Sequence, residues 1–180
     1  VREHGWDRGL SEIERNELRN HYGIKPGLCQ KYIFYDLAYN LRPTEITGFL
    51  LKEGIKYADE IIKKRQRNFY DIYGYIQKML GDRIYPLDFG NLTTVSNFAI
   101  PIVCRNEKLY KKLVQKFTEK GVDIRPIISG NILRQPFFKK YGFNYNLKDY
   151  PNAEIIHKSG FYFGNDPNLT KKERDYIKNI

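Results

Sequence analysis

Apolar positions along this chain fall into blocks whose spacing changes, and each change predicts an element. Residues 1–30 are mostly polar and read as a surface excursion, with one short helix over residues 11–21 anchored only by Ile13 and Leu18. Residues 32–39 form a short aromatic and aliphatic run, Tyr-Ile-Phe-Tyr-Asp-Leu-Ala-Tyr, which has the length of a strand and is ended by Asn40-Leu41-Arg42-Pro43. Thr44 then stands as an N-cap, with Glu45 in the first turn where the helix dipole favours a carboxylate. Ile46, Leu50, Tyr57, Ile61, Phe69, Ile72 and Ile76 recur close to every 3.6 residues, so a long helix runs to about Leu80. Gly54 and Gly74 are the places where it is expected to kink or break.

Residues 96–104 predict a strand in which Pro101, having no N–H to give to a ladder, suits an edge or a bulge. Over residues 106–120, Leu109, Leu113 and Phe117 alternate with lysines and stop at Gly121, the pattern of a helix with a glycine C-cap. Residues 122–128 are a short strand interrupted by Arg125 and Pro126, and residues 129–142 a loop and short helix rich in aromatics. A short helix over 152–158, a strand over 161–164 and a last helix over 170–180 follow, the last opened by the capping box Thr170 and Glu173. A strand, a long helix, then strand-helix-strand-helix-strand-helix predicts an α/β fold: a small sheet with helices mainly on one face.

Composition adds scale and compartment. With 180 residues, 41% hydrophobic and 15% aromatic, the chain can form one sizeable core, or one domain with an appendage. Cys29 and Cys104 are far apart and in no CxxC context, which argues against a disulfide framework or a zinc site and makes a reducing cytoplasm the simplest compartment. No run approaches the roughly 20 apolar residues of a membrane helix, and Arg2, Glu3, His4 and Asp7 at the start exclude a signal-peptide core there, so no membrane partner is expected. The chain opens on Val1, and upstream sequence is expected.

A net charge of +10 fits nucleic acid, an anionic surface or a small anionic substrate such as a nucleotide diphosphate. The densest basic run, residues 63–67, and the series Lys108, Lys111, Lys112, Lys116 and Lys120 both fall inside amphipathic helical patterns and read as solvated helix faces.

Catalytic signatures are sparse. The sequence has no P-loop, GxSxG, HExxH or GxGxxG after a strand. His4, His21 and His157 are isolated and read as surface or packing residues; Asp36 and Asp166 are single carboxylates, the latter a turn residue before Pro167. Three polar-aromatic segments stand out: residues 39–42 (Tyr-Asn-Leu-Arg), 125–131 (Arg-Pro-Ile-Ile-Ser-Gly-Asn) and 160–165 (Gly-Phe-Tyr-Phe-Gly-Asn). Each sets an amide or guanidinium beside a glycine, proline or aromatic at the edge of an apolar run, which suits phosphate or sugar contacts as well as ordinary turns.

At these segments the chain resembles the DegT-type family of sugar aminotransferases and the related sugar 3-dehydrases, vitamin B6 enzymes of the aspartate aminotransferase fold. The likeness covers essentially the whole chain, from Arg2-Glu3-His4-Gly5-Trp6-Asp7-Arg8 through Asp36-Leu37-Ala38-Tyr39-Asn40-Leu41-Arg42-Pro43-Thr44-Glu45-Ile46. It implies the small C-terminal domain of that fold with a long connecting helix: residues 1–43 a remnant of the large cofactor-binding domain, 44–82 the helix, 83–180 the small α/β domain. It assigns Asn40 to the phosphate of the pyridoxal phosphate held by a partner subunit, a neutral amide donor completing a dianionic site. Thr44 caps the helix and Arg42 positions the loop; Arg42, Arg125, Asn131 and Asn165 are the implied substrate contacts.

The family's catalytic residues lie upstream of residue 1, so no catalytic residue is nominated here and pyridoxal phosphate is not expected covalently on this chain. The resemblance implies a homodimer, a nucleotide-sugar substrate and glutamate as amino donor. The first reading is the C-terminal portion of an aminotransferase acting on a nucleotide-linked keto sugar for cell-surface polysaccharide or lipopolysaccharide, inactive alone. Its rival is dehydration at C3 of a 4-keto-6-deoxy sugar nucleotide. Ser129-Gly130-Asn131 and residues 160–165 are similar to the dehydrase-like branch, where many of the aminotransferases carry a histidine near Asn131; Asp166 also stands where relatives often have histidine. A reading of another class is a basic, non-catalytic nucleic-acid-binding protein, and a third is a remnant or split-gene subunit. A separated domain of this kind is expected to expose apolar surface and to self-associate.

Overall fold

A computed structural model describes residues 5–38 and 44–180. The chain divides into two compact units, Val1–Pro43 with Arg125–Lys158, and Thr44–Ile124 with Ser159–Ile180.

The second unit is built on the long helix. The Thr44 hydroxyl accepts from the Thr47 N–H and starts α2 (Glu45–Gly54); a 3-10 turn (Ile55–Tyr57), α3 (Ala58–Leu80) and another 3-10 turn (Gly81–Arg83) follow without a gap. The two glycines behave differently: the helix tightens after Gly54 and runs through Gly74 unbroken. Its apolar stripe also divides. Phe69, Ile72 and Ile76 are buried, whereas Ile46, Phe49 and Leu51 on α2 and Ile55 just after it are 66–72% exposed.

The chain also forms a three-stranded sheet of order β1-β3-β2, from β1 (Ala99–Val103), β2 (Ile124–Pro126) and β3 (Gly160–Gly164). β1 and β3 are antiparallel, with Ala99 opposite Gly164 and Val103 opposite Gly160. The expected small sheet is therefore present, but its principal pair is not the parallel pair of an α/β unit. The pairing strands are separated by α4 (Glu107–Glu119), β2 and the whole Arg125–Lys158 segment, so no single crossover dictates their sense. Pro101 sits on β1 at the sheet edge, where its missing N–H is tolerated.

Ile100, Ile102, Phe161 and Phe163 are essentially solvent-free, and Phe117 of α4 lies 5.6 Å from Phe161 and 5.2 Å from Phe163. Burial of each such side chain contributes about 1.5–3 kcal/mol. α7 (Lys171–Lys178) starts from the expected capping box, and its Arg174 and Lys178 both reach Asp71 of α3 at 2.8 Å.

In the first unit, α1 (Glu12–His21) carries a second capping box, Ser11 with Glu14. Trp6 packs edge-on to Tyr32 at 5.5 Å, and buried Asp7 accepts from Arg19 at 2.9 Å and the Tyr35 hydroxyl at 3.3 Å. Over residues 32–38, the described part of the strand expected at 32–39, no strand forms. A 3-10 turn (Leu28–Tyr32) occupies its start, and its next donors have no ladder partner: the Phe34 N–H goes to Gln135 Oε1, Tyr35 N–H to the Gly5 carbonyl and Leu37 N–H to Asp36 Oδ1. Its apolar residues are nonetheless core, with Tyr32, Ile33 and Tyr35 all buried. Tyr39 lies outside the described residues.

Candidate functional site

Of the residues nominated from sequence, Asn40 and Arg42 lie outside the described residues. Arg125 and Asn131 belong to the first unit and Asn165 to the second. The described residues therefore hold no part of the pyridoxal phosphate contact that the resemblance assigns to Asn40.

The most organised polar arrangement is the segment from Ser129 to Gln135 against α6 (Pro151–Ser159). Asn131, 1% exposed, opens a 3-10 turn (Ile132–Arg134), and its Oδ1 accepts from the Leu133 N–H at 3.0 Å. Its Nδ2 donates to Glu154 Oε1 at 2.7 Å, and its backbone N–H to His157 Nδ1 at 3.3 Å. Glu154 and His157 are three residues apart on α6 and so share a face. Glu154 also receives a two-pronged contact from Arg134, Nε to Oε1 at 2.7 Å and a terminal nitrogen to Oε2 at 2.6 Å. That guanidinium, followed by the Asn131 amide, holds the Glu154 carboxyl down at about 2, against the cost of its own burial.

Gln135 ties the loop down from the other side: Oε1 accepts the Phe34 N–H at 2.9 Å and Nε2 donates to the Ser129 carbonyl at 3.0 Å. Between these anchors Gly130 adopts φ +66°. A Cβ there would collide with His157 Nδ1 and sit 3.2 Å from its Cγ, so glycine is required twice over.

Arg125 is exposed and donates to the Tyr32 hydroxyl at 2.6 Å, with its guanidinium 5.9 Å from that ring. Asn165, 1% exposed, donates through Nδ2 to the carbonyls of Arg65 and Asn97 at 3.0 and 2.9 Å, while its backbone N–H bonds to the Phe98 carbonyl at 2.8 Å. Its Oδ1 has no partner among the described residues, nor do Asn97 Oδ1 and Arg65 Nε. Asn131 and Asn165 thus turn most of their polar capacity inward.

Sequence reading gave Glu154 no role, took His157 for a surface or packing residue, and met Gln135 only as part of a Gln-Pro-Phe stretch resembling a substrate-side loop. The one local signal was the i, i+3 spacing of Glu154 and His157 on a predicted helix; their partners, Asn131 and Arg134, lie 20 or more residues away. Asp36, noted as a lone carboxylate, is paired: Lys140 and the Tyr141 hydroxyl both donate to it and hold it below the usual carboxylate range. Burial pushes the thiols of Cys29 and Cys104 up, the latter to about 11, which leaves neither poised as a nucleophile. Among the described residues no group of three or more His, Cys, Asp or Glu is arranged to hold a metal ion, and no helix is long and apolar enough to cross a membrane.

This architecture matches part of the pyridoxal-phosphate aminotransferase fold. The structure superposes on Escherichia coli GDP-4-keto-6-deoxy-D-mannose-3-dehydratase with bound hydrated PLP with a TM-score of 0.59 at 24% identity, over 99% of this chain and 45% of the other. It also superposes on an aminotransferase from Psychrobacter cryohalolentis, with a TM-score of 0.66 at 15% identity and the same coverage. The sequence model of the DegT/DnrJ/EryC1/StrS aminotransferase family matches residues 7–180, and the chain belongs to that family. In sequence it is 28% identical over 186 residues to GDP-4-keto-6-deoxy-D-mannose 3-dehydratase of Escherichia coli O55:H7, covering 100% of this chain and 45% of the relative. It is 29% identical to the protein of that name from Yersinia pseudotuberculosis, covering 92% of this chain and 41% of the relative. The chain thus spans less than half the length of the curated relatives it matches.

Proposed function

We propose that this chain is the C-terminal portion of a pyridoxal-phosphate-dependent 3-dehydratase acting on a nucleotide-linked 4-keto-6-deoxy sugar. The observation that carries the reading is the likeness across 92–100% of the chain to two proteins named as GDP-4-keto-6-deoxy-D-mannose 3-dehydratases. This reverses the order drawn from sequence, which put amination first. Amination of a nucleotide-linked keto sugar is the second reading, favoured by the family's own description as aminotransferases.

In this proposal residues 44–82 connect a large-domain remnant, residues 1–43, to a small domain over 83–180. Asn40 reaches the cofactor phosphate of a partner subunit in a homodimer, Arg42 and Arg125 contact the substrate's phosphates or sugar, and Asn131 and Asn165 fix the loops that shape the substrate side. Pyridoxal phosphate supplies the electron sink that lets the hydroxyl at C3 leave, and glutamate is the amino donor. The exposed row Ile46, Phe49, Leu51 and Ile55 supports a chain that is covered by further protein in the complete enzyme.

The test is product analysis of a complete enzyme containing this chain, supplied with GDP-4-keto-6-deoxy-D-mannose, pyridoxal phosphate and glutamate. The expected product has lost the C3 oxygen and keeps no amino group. A product in which nitrogen replaces the keto oxygen would hand the function to the second reading. The 180-residue chain by itself is expected to retain no cofactor absorbance after dialysis. If it instead binds oligonucleotides with a steep salt dependence, the basic, nucleic-acid-binding class replaces both.

A further inference from the structure

We propose that His157 is a positioning residue: its neutral imidazole latches residues 129–131 in place by accepting the Asn131 amide hydrogen at Nδ1. The inference rests on the dehydratase reading only for what that loop would bind; the latch itself rests on the geometry of the first unit.

The hydrogen bond, at 3.3 Å, demands a lone pair on Nδ1. It therefore fixes the Nε2–H tautomer and is incompatible with the imidazolium, which carries a hydrogen on both nitrogens. Protonation would set N–H against N–H at a residue that is 1% exposed, where the Asn131 amide has no access to replacement water. The loop has no slack to absorb the loss in place. Gly130 already lies so close that a Cβ would strike Nδ1, and the Asn131 side chain is held by Glu154 one turn earlier on the same helix.

The charged and titratable surroundings favour the latched form. Burial is the largest influence lowering the imidazole's proton affinity, Arg134 from the 3-10 turn comes next, and Lys158 of α6 adds to it. Glu154 opposes them, but its carboxylate is engaged by Arg134 and Asn131. From the turn at residues 28–32, Cys29 Sγ approaches the His157 carbonyl at 3.8 Å and leaves the ring nitrogens alone. The sign follows. A histidine whose proton affinity is depressed on folding contributes stability that is fully present above its ordinary value of 6.5 and is lost as pH falls through the folded value.

The experiment is nitrogen-15 NMR of the 180-residue chain. At neutral pH the His157 ring is expected to carry its hydrogen on Nε2. On acidification, the Asn131 amide is expected to lose protection against exchange at least tenfold, corrected for intrinsic exchange chemistry, with the midpoint of the His157 ring titration. His157→Asn, which sets a carbonyl oxygen where Nδ1 stood, should hold that protection flat with pH. His157→Phe should remove it at every pH while the Asn165 side-chain amide resonances persist. Protection at Asn131 that ignores the His157 titration in the unsubstituted chain overturns the proposal, as does a ring hydrogen on Nδ1 at neutral pH. Neither readout involves substrate, so the latch and the dehydratase reading fail separately.

Discussion

Two asparagines with the same burial illustrate how differently the two units are held. Asn131 sits among ionisable side chains: Glu154 accepts from its Nδ2, His157 from its backbone N–H, and Arg134 clamps the same carboxylate. Asn165 sits among neutral backbone, its Nδ2 shared between the carbonyls of Arg65 and Asn97 at the end of β3. Both amides spend their polar groups inside the fold, but only the first has partners whose charge changes with pH. The surroundings of Asn131 in the first unit are therefore expected to respond to acid, and the core beside Asn165 in the second, with Phe161 and Phe163, to respond to packing and desolvation; an acid-sensitive carboxylate of the second unit, Asp71, is held by Lys178 and Arg174 instead.

The largest expected effect sharpens the neutral side of that contrast. Asn165→Asp replaces a double donor by a carboxyl facing two carbonyl oxygens at 1% exposure. It should cost about 3–5 kcal/mol at neutral pH, as an uncompensated buried charge does. The cost should shrink in acid, because the new carboxyl folds most easily when protonated: its proton affinity is raised on folding, so stability is intact below the unfolded value and is lost as pH rises from there through the folded one. Urea denaturation from pH 4 to 8 reads it. A cost under about 1 kcal/mol across that range would mean that water reaches this site and that the two asparagines are not comparable.

Next in size is Gly130→Ala, which tests how tightly the charged side is packed. The left-handed backbone at φ +66° alone costs an alanine about 1–2 kcal/mol, and the collision with the imidazole adds to it. Removing the imidazole with His157→Ala in the same chain should recover the collision and leave the backbone strain. The double-mutant cycle should then show coupling within about 0.5–3 kcal/mol. Additive costs would show that the loop relaxes away from α6 freely.

Much of the second unit could be read from sequence because its rules are local. Thr170 and Glu173 are three residues apart, Leu109, Leu113 and Phe117 repeat on one helix face, and Pro101 announces an edge within its own strand. The first unit resisted the same reading. Residues 32–38 have a strand's composition, yet the partners that decide their conformation are Gly5 and Gln135, one of them 101 positions away. The charge network was invisible for the same reason: Asn131 was singled out from its loop motif, while its partners Glu154 and His157 drew notice neither as a pair nor as that loop's anchors. On α2 the opposite happened. Ile46 and Leu50 keep a helical apolar period, but a period predicts which face wants cover, and within this chain that face remains exposed.

The smallest expected effect separates the two units most directly. Glu154→Gln keeps the shape and one hydrogen-bond acceptor for Asn131 but removes the charge that Arg134 grips. Arg134 is 38% exposed, so water screens part of the loss and about 1 kcal/mol is expected at pH 7. Because the Glu154 carboxyl is depressed from 4.5 to about 2 in the folded chain, its contribution is complete above 4.5 and drains away as pH falls toward 2. Glutamine does not titrate, so the stability difference between the two chains should close over that window and be gone near its lower end. Asn165→Ala, which removes a partner of backbone carbonyls alone, should keep a constant cost over the same window. If the Glu154→Gln difference stays constant from pH 5 to 2, the carboxylate is not what ties Asn131 and Arg134 together, and the acid sensitivity around Asn131 rests on His157.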